Sequence, residues 1–275
     1  ALAGRGHAAR GRLLLAAVGK ASAAMTRGAF SLLGDRIDAG IAVLPHGYPA
    51  DLGPGRARSR IEVHASGHPV PDEAGLAAAR RLLGFVEQME EQDTLLLLLS
   101  GGGSSLLPLP AAGITLDDKV RTTRLLLGSG ADIRAINTVR KHLSAIKGGR
   151  LAERARGTIV TLAISDVVGD DVQFIASGPT VPDSTTWADA GAVLARHDLL
   201  VKVPPAVRRL VEDGLAGKVP DTPKSLPGRH AAAVIASNGA ALDAAAAQAA
   251  ARGFTPVVLP RALAREAREA GRMIG

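Results

Sequence analysis

Cysteine is absent from all 275 residues. That excludes disulfides, thiolate metal centres and cysteine nucleophiles, and it suits a reducing cytoplasm, which is the expected location. Aromatic residues make up only 2% of the chain, with a single tryptophan, Trp187, and a single tyrosine, Tyr48. Binders of single-stranded nucleic acid stack bases on aromatic rings, so the net charge of +7 is read as an attraction for small phosphorylated or carboxylate compounds and not for nucleic acid. No apolar run reaches the roughly 18 residues that a membrane span requires, and a soluble protein without membrane contact is expected. A homo-oligomer is compatible with this composition and is not required by it.

What is present alternates between two periods. Short apolar runs at 13–18 (LLLAAV), 41–44, 61–64, 94–99 (TLLLLL), 158–164 and 233–236 read as strands, and 73–91 reads as a helix. The run at 94–99 has no polar face at all, as expected of a parallel strand buried on both sides. Strands alternating with helices predict a doubly wound α/β fold, Rossmann-like with three layers and a mostly parallel sheet, whose ligand groups gather at the carboxyl ends of the strands. Five prolines between Lys202 and Pro227 predict a break in regular structure. The domain reading is therefore residues 1–227, followed by the start of a second, smaller α/β domain at 228–275 that contains a strand, a turn at 237–239, an Ala-rich helix and another strand. The first residue is Ala1 and not Met, and 263–275 reads as a helix with no cap, so both ends are expected to be cut.

The motif LSGGGSS places Ser100, Gly101, Gly102, Gly103, Ser104 and Ser105 directly after the buried strand. Consecutive glycines let backbone N–H groups face an anion closely, and the hydroxyls add donors; the same run would also serve as a plain strand-to-helix turn. It is neither a Walker loop nor a G-x-G-x-x-G turn. Lys20 follows the first strand at the start of a helix, where the helix dipole disfavours a cation unless an anion or water compensates. The stretch 133–149, wound as one helix, puts Ile136, Val139, Leu143 and Ile146 on one side and Asn137, Arg140, Lys141, Ser144 and Lys147 on the other. That second side is either a solvated face or an anion clamp. Asp166, Asp170 and Asp171 follow another strand, where carboxylates either bind Mg2+ beside phosphates or cap turns. The loops SGHPVPDE (66–73) and SGPTVPD (177–183) read as stiffened loops leading into helices. His68 and His142 have no partners at metal or triad spacing, which disfavours a zinc site or a serine hydrolase.

In combination and order, the motifs VGKASAAM (18–25), SGHPVPDEAG (66–75), LSGGGSSLLPLP (99–110), INTVRKHLSAIKGGRLA (136–152), ISDVVGDD (164–171) and IASGPTVPD (175–183) resemble the glycerate 2-kinase family, whose second domain is known as the MOFRL domain. SNGAALDAAA (237–246) continues the likeness. The resemblance implies a two-domain α/β kinase that uses ATP and Mg2+ in an interdomain cleft to convert D-glycerate to 2-phosphoglycerate. It makes Lys20 the catalytic lysine and the 100–105 loop a cradle for phosphate or substrate. Asn137, Arg140 and Lys141 would then line the cleft, with Asp166 and Asp170 near the metal. The family's Gly-Gly-Glu and Gly-Arg-Asn motifs do not occur before residue 275, so weak activity or none is expected of these residues alone.

Two other readings compete. A hydroxypyruvate reductase, a name given to relatives of the family, would need a dinucleotide fingerprint after a strand and an acid about 20 residues on, and neither glycine-bearing turn meets both conditions. A non-catalytic sugar-phosphate or nucleotide sensor is the third.

Overall fold

The computed structural model describes residues 11–53, 59–259 and 267–274. The six apolar runs become β1 (Leu13–Val18), β2 (Ile37–Pro45), β3 (Ile61–Ser66), β4 (Thr94–Leu99), β5 (Thr158–Ser165) and β6 (His230–Ser237). They form one sheet in the order β3-β2-β1-β4-β5-β6, and every pair is parallel. The chain moves outward from β1 to β3, then returns to place β4 on the other side of β1. The winding therefore reverses between β1 and β4, and in an open α/β sheet that reversal opens a crevice at the carboxyl ends of the strands.

Successive residues of β1 feed opposite layers, as the period of two in a strand requires. Leu14, Ala16 and Val18 pack with Leu76, Ala79, Leu82 and Val86 of α2 (Glu73–Glu87), whereas Leu15 and Ala17 pack with Ala29 of α1 (Ser22–Leu33). The start of α2 is set by Asp72, whose side chain accepts from the Gly75 N–H at 2.8 Å. SGHPVPDE is thus a helix lead-in, as one of its readings had it. The helix stops at Glu87, four residues short of the expected 91, and Gln88 caps it.

Between β4 and β6 the chain builds a helical layer with its own core. A short helix, α3 (Gly103–Leu106), is followed by α4 (Leu116–Gly128), α5 (Ile133–His142), α6 (Arg150–Glu153), α7 (Trp187–Arg196) and α8 (Pro205–Leu215). Ile136, Val139 and Leu143 meet Trp187, Leu194, Val207 and Val211 there. Thr115 with Asp118, and Thr186 with Asp189, form reciprocal capping boxes at the starts of α4 and α7.

Several expectations are corrected. The helix expected over 133–149 ends at His142, where the chain turns so that Ser144 pairs with Pro110 and Gly148 and Gly149 take positive φ. The face opposite Ile136 is not solvated, because Asn137, Lys141, Ser144 and Lys147 are all buried. The proline-rich segment holds helix α8, with Pro205 in the first turn, where its missing N–H costs nothing. The strand beyond it, β6, expected to open a second domain, is instead paired with β5 as the sixth strand of the same sheet. Ser237 caps α9 (Asn238–Ala251), and 254–259 forms no strand. Of the expected helix at 263–275, residues 263–266 and 275 lie outside the described residues, and α10 (Ala267–Ile274) covers the rest. No helix among the described residues is long and apolar enough to cross a membrane.

Candidate functional site

Val18 lies opposite Leu99 in the register of β1 and β4, so the two turns that leave these strands emerge side by side at the winding reversal. They are tied together. Ser100 N–H donates to the Val18 carbonyl at 2.9 Å and Lys20 N–H donates to the Gly101 carbonyl at 2.9 Å. Ala21 N–H donates to Ser100 Oγ at 3.0 Å. Gly19 has φ +125°, and Gly102, at the start of α3, has φ +89°. The N–H groups of Gly101, Gly102 and Ser104 donate to no acceptor among the described residues. Three uncommitted amides in one tight turn are available to an anion.

Three side chains stand around this turn. Lys20 is exposed, and its ammonium makes no hydrogen bond or ion pair among the described residues. Asp166, just past β5, lies against Gly101, with Oδ2 2.5 Å from the point a Cβ there would occupy. His68, just past β3, covers Gly102, with Nε2 3.0 Å from the corresponding point. Burial first, and the Lys20 charge second, push the imidazole below its ordinary value of 6.5, against the pull of Asp166. His68 is therefore neutral at pH 7. The glycines are a steric requirement here, since any side chain at 101 or 102 would strike the carboxylate or the ring.

Behind the turn runs a hydrogen-bond chain. Lys147 Nζ donates to Ser104 Oγ at 3.1 Å and to the Ser104 carbonyl at 2.9 Å. Ser104 Oγ meets Ser177 Oγ at 2.8 Å, and Ser177 donates to Asn137 Oδ1 at 2.8 Å. Ala176 and Ser177 both hold left-handed φ, +51° and +63°, a conformation that non-glycine residues adopt only when their surroundings over-determine it. Asn137 thus acts through Ser177 on the glycine turn.

The remaining expected residues divide. Ser100 is buried at the joint of the two turns, and Ser105 Oγ donates back to the Gly102 carbonyl at 3.0 Å, holding α3 in place. Gly103 is buried against Ala176. Arg140, near the end of α5, is partly exposed. Lys141 does not line the cleft: its Nζ is 2.8 Å from Asp183 Oδ1, with both side chains buried. Asp170 sits in the following turn with φ +53° and its N–H on the Val167 carbonyl. Among the described residues no group of three or more His, Asp or Glu could hold a metal. Mg2+ takes only one or two protein oxygens when phosphates supply the rest, and Asp166 beside the glycines is an oxygen donor that fits this mode. Sequence reasoning placed Lys147 only on a face read as solvated or as an anion clamp, and missed His68 and Ser177 as site residues. The signal for His68 was its place two residues past the end of β3; the signal for Ser177 is three-dimensional.

An all-parallel sheet of this order, with uncommitted amides, Lys20 and the Asp166 carboxylate at its winding reversal, places the protein in the doubly wound α/β class. Residues 3–212 match the family described as "Domain of unknown function (DUF4147)", and the chain belongs to that family. It is 43% identical over 267 residues to a Pyrococcus horikoshii protein named glycerate 2-kinase, covering 97% of this chain and 59% of that one. It is 45% identical over 266 residues to an Agrobacterium vitis protein named putative hydroxypyruvate reductase, covering 95% and 65%. The crystal structure of a glycerate kinase from Thermotoga maritima matches with a TM-score of 0.81 and 42% identity, over 96% of this chain and 60% of that one. The chain therefore spans about three fifths of the length of these relatives.

Proposed function

We propose that the protein transfers a phosphoryl group from ATP to the 2-hydroxyl of D-glycerate. The observation that supports this reading is the joint between the β1 and β4 turns, where three uncommitted amides lie beside Lys20 and the Asp166 carboxylate packs against Gly101. Relatives at 43% and 42% identity bear the names glycerate 2-kinase and D-glycerate 2-kinase, which supports the same reading. Phosphoryl transfer needs little covalent help from a protein; it needs the reactants held in line and the charge on the equatorial oxygens matched by donors fixed beforehand. The amides of Gly101, Gly102 and Ser104 hold phosphate oxygens, and Lys20 stabilises the charge of the transferring group. Mg2+, if bound with the nucleotide, would supply further neutralisation, and Asp166, with Asp170 in the adjoining turn, would be the carboxylates to hold it. His68, neutral and with its ring at Gly102, borders the space where the acceptor hydroxyl must approach.

The reductase name carried by the Agrobacterium vitis relative is the second reading. The turn after β1 carries one glycine, Gly19, followed by Lys20, and lacks the spaced glycines that bring a pyrophosphate onto a helix. D-Glycerate with MgATP in one assay and hydroxypyruvate with NADH in another separate the two, using the full-length gene product. ADP release that depends on glycerate, without NADH loss, is the expected result, and Lys20→Ala should lower it by about 10²–10³-fold. NADH loss alone would replace the kinase reading, and silence in both would leave the non-catalytic sensor.

A further inference from the structure

The back of the glycine turn rests on one buried cation. Lys147 is 2% exposed, and its Nζ lies 2.9 Å from the Ser104 carbonyl oxygen, 3.1 Å from Ser104 Oγ and 3.5 Å from the Ala176 carbonyl oxygen. It makes no ion pair among the described residues. The hydrogens behind the turn run one way. Ser177 gives its only hydroxyl hydrogen to Asn137 Oδ1, so the hydrogen between the two serine oxygens comes from Ser104, and the Ser104 oxygen accepts from Lys147. The Ser104 hydroxyl is thereby committed inward, and the donor this residue has left for a ligand is its main-chain N–H. Burial, and after it the charges of Lys119 and Arg140, push Lys147 well below its ordinary value. Three acceptors nevertheless face its three hydrogens, an arrangement that only the protonated form satisfies. Lys147 is itself held in place, because Lys147-Gly148-Gly149 runs beside Ala176-Ser177-Gly178. Gly148 N–H donates to the Ser177 carbonyl at 3.0 Å and Gly149 N–H to the Gly178 carbonyl at 2.7 Å. All three residues of the second segment hold left-handed φ, and the Ala176 Cβ lies 3.0 Å from the point a Cβ on Gly103 would occupy.

We propose that Lys147 is a positioning residue for phosphate binding: it grips Ser104 from behind, fixes the orientation of the free N–H groups of Gly101, Gly102 and Ser104, and sets an uncompensated positive charge behind them. This rests on the reading above of the turn as the place that holds phosphate oxygens. Consecutive glycines have no rigidity of their own, and donors serve an anion best when they are fixed before it arrives. Lys147 supplies that fixation through two bonds to one residue, and the bonds are charge-assisted, so they are the strong ones of the network. Its partners are neutral, so its field is not cancelled at the turn and favours an anion there. Lys20 is the exposed cation of the same turn and Lys147 the buried one, and only the buried one touches Ser104.

The test uses Lys147→Met in the full-length protein, which keeps an unbranched side chain and removes the ammonium. MgADP binding is measured by calorimetry well below the melting temperature, so that folding and binding are read separately. The expected result is a dissociation constant raised about 30- to 100-fold, with kcat lowered about 10²-fold and the KM for D-glycerate within about threefold. Ser104→Ala should weaken MgADP binding about tenfold, and the double variant should bind about as well as Lys147→Met alone, because the two side chains act through one contact. A lowered melting temperature with unchanged MgADP binding would make Lys147 a structural lysine and overturn the proposal. Additive effects in the double variant would overturn it too, as would a raised KM for D-glycerate with nucleotide affinity intact. Should Lys147→Met fail to fold, Ser177→Ala carries the test: MgADP binding about tenfold weaker is expected, and unchanged binding overturns the proposal. If wild type binds MgADP but shows no glycerate-dependent ADP release, an affinity that needs Lys147 keeps the proposal while the kinase reading falls; wild type that binds no MgADP overturns it.

Discussion

The Oγ of Ser100 lies 2.2 Å from the point a Cβ on Gly19 would occupy, and the Ser100 carbonyl oxygen lies 2.6 Å from it. Gly19 also holds φ +125°, outside the range that side-chain-bearing residues favour. Gly19→Ala therefore forces the β1 and β4 turns apart and breaks the bonds from the Lys20 and Ala21 amides. A stability loss of about 1–3 kcal/mol or more is expected from the overlap and the strained backbone, together with loss of nucleotide binding. Denaturant unfolding and nucleotide titration check it. Ser100→Ala alone should cost about 1 kcal/mol for its lost hydrogen bonds, and adding it to Gly19→Ala should not restore binding, because the carbonyl still blocks the Cβ. Full recovery in the double variant would show that the hydroxyl and not the backbone fixes the joint.

Lys141, which the family resemblance had placed in the cleft, forms a buried ion pair with Asp183 at 2.8 Å. Burial opposes ionisation of Asp183, but the bonds from Lys141 and Thr185 outweigh it and hold the carboxyl below its ordinary value. Lys141→Met leaves that carboxylate in the interior without its countercharge and should cost about 3–5 kcal/mol. Lys141→Met with Asp183→Asn should recover much of the loss. In folded protein neither variant should change the KM for D-glycerate or ATP more than a few-fold. A large KM effect without a stability effect would return Lys141 to the binding site.

The fold was legible because its strands carry an unambiguous signal. β4, TLLLLL, and β1, LLLAAV, have no polar face, and only a central parallel strand tolerates that. The glycine turn and Lys20 were legible for the same reason: a turn directly after such a strand must lie at the carboxyl edge. Lys141 and Arg140 are neighbours in sequence, and nothing in their spacing tells which one finds an acid; that depends on Asp183, 42 residues away. The assignment of β6 to a new domain followed from prolines that read as breaks, whereas Pro205 starts a helix and the chain returns to the sheet edge.

At the opposite pole of the sheet, Asp93 ties the entrance of β1 to the start of β4. It is 2% exposed and accepts from Arg12 N at 2.7 Å, from Arg12 Nε at 3.1 Å and from Glu90 N at 2.9 Å. Burial opposes its ionisation, but the Arg12 guanidinium and the two amides prevail and hold the carboxyl below the ordinary value of 3.8. The sign of the pH dependence follows. As pH falls, the unfolded chain takes up the proton first, so the stabilisation is fully present above about 3.8 and is lost as pH drops from there toward the folded-state value. Asp93→Asn keeps the shape but not the charge, and should cost about 1.5–3 kcal/mol at pH 7 for hydrogen bonds to a charged group. Urea unfolding of both proteins between pH 7 and pH 3 measures the difference. It should shrink at the acid end, because the wild-type carboxyl is being neutralised there; a difference that stays constant to pH 3 would mean that Asp93 holds Arg12 by shape alone.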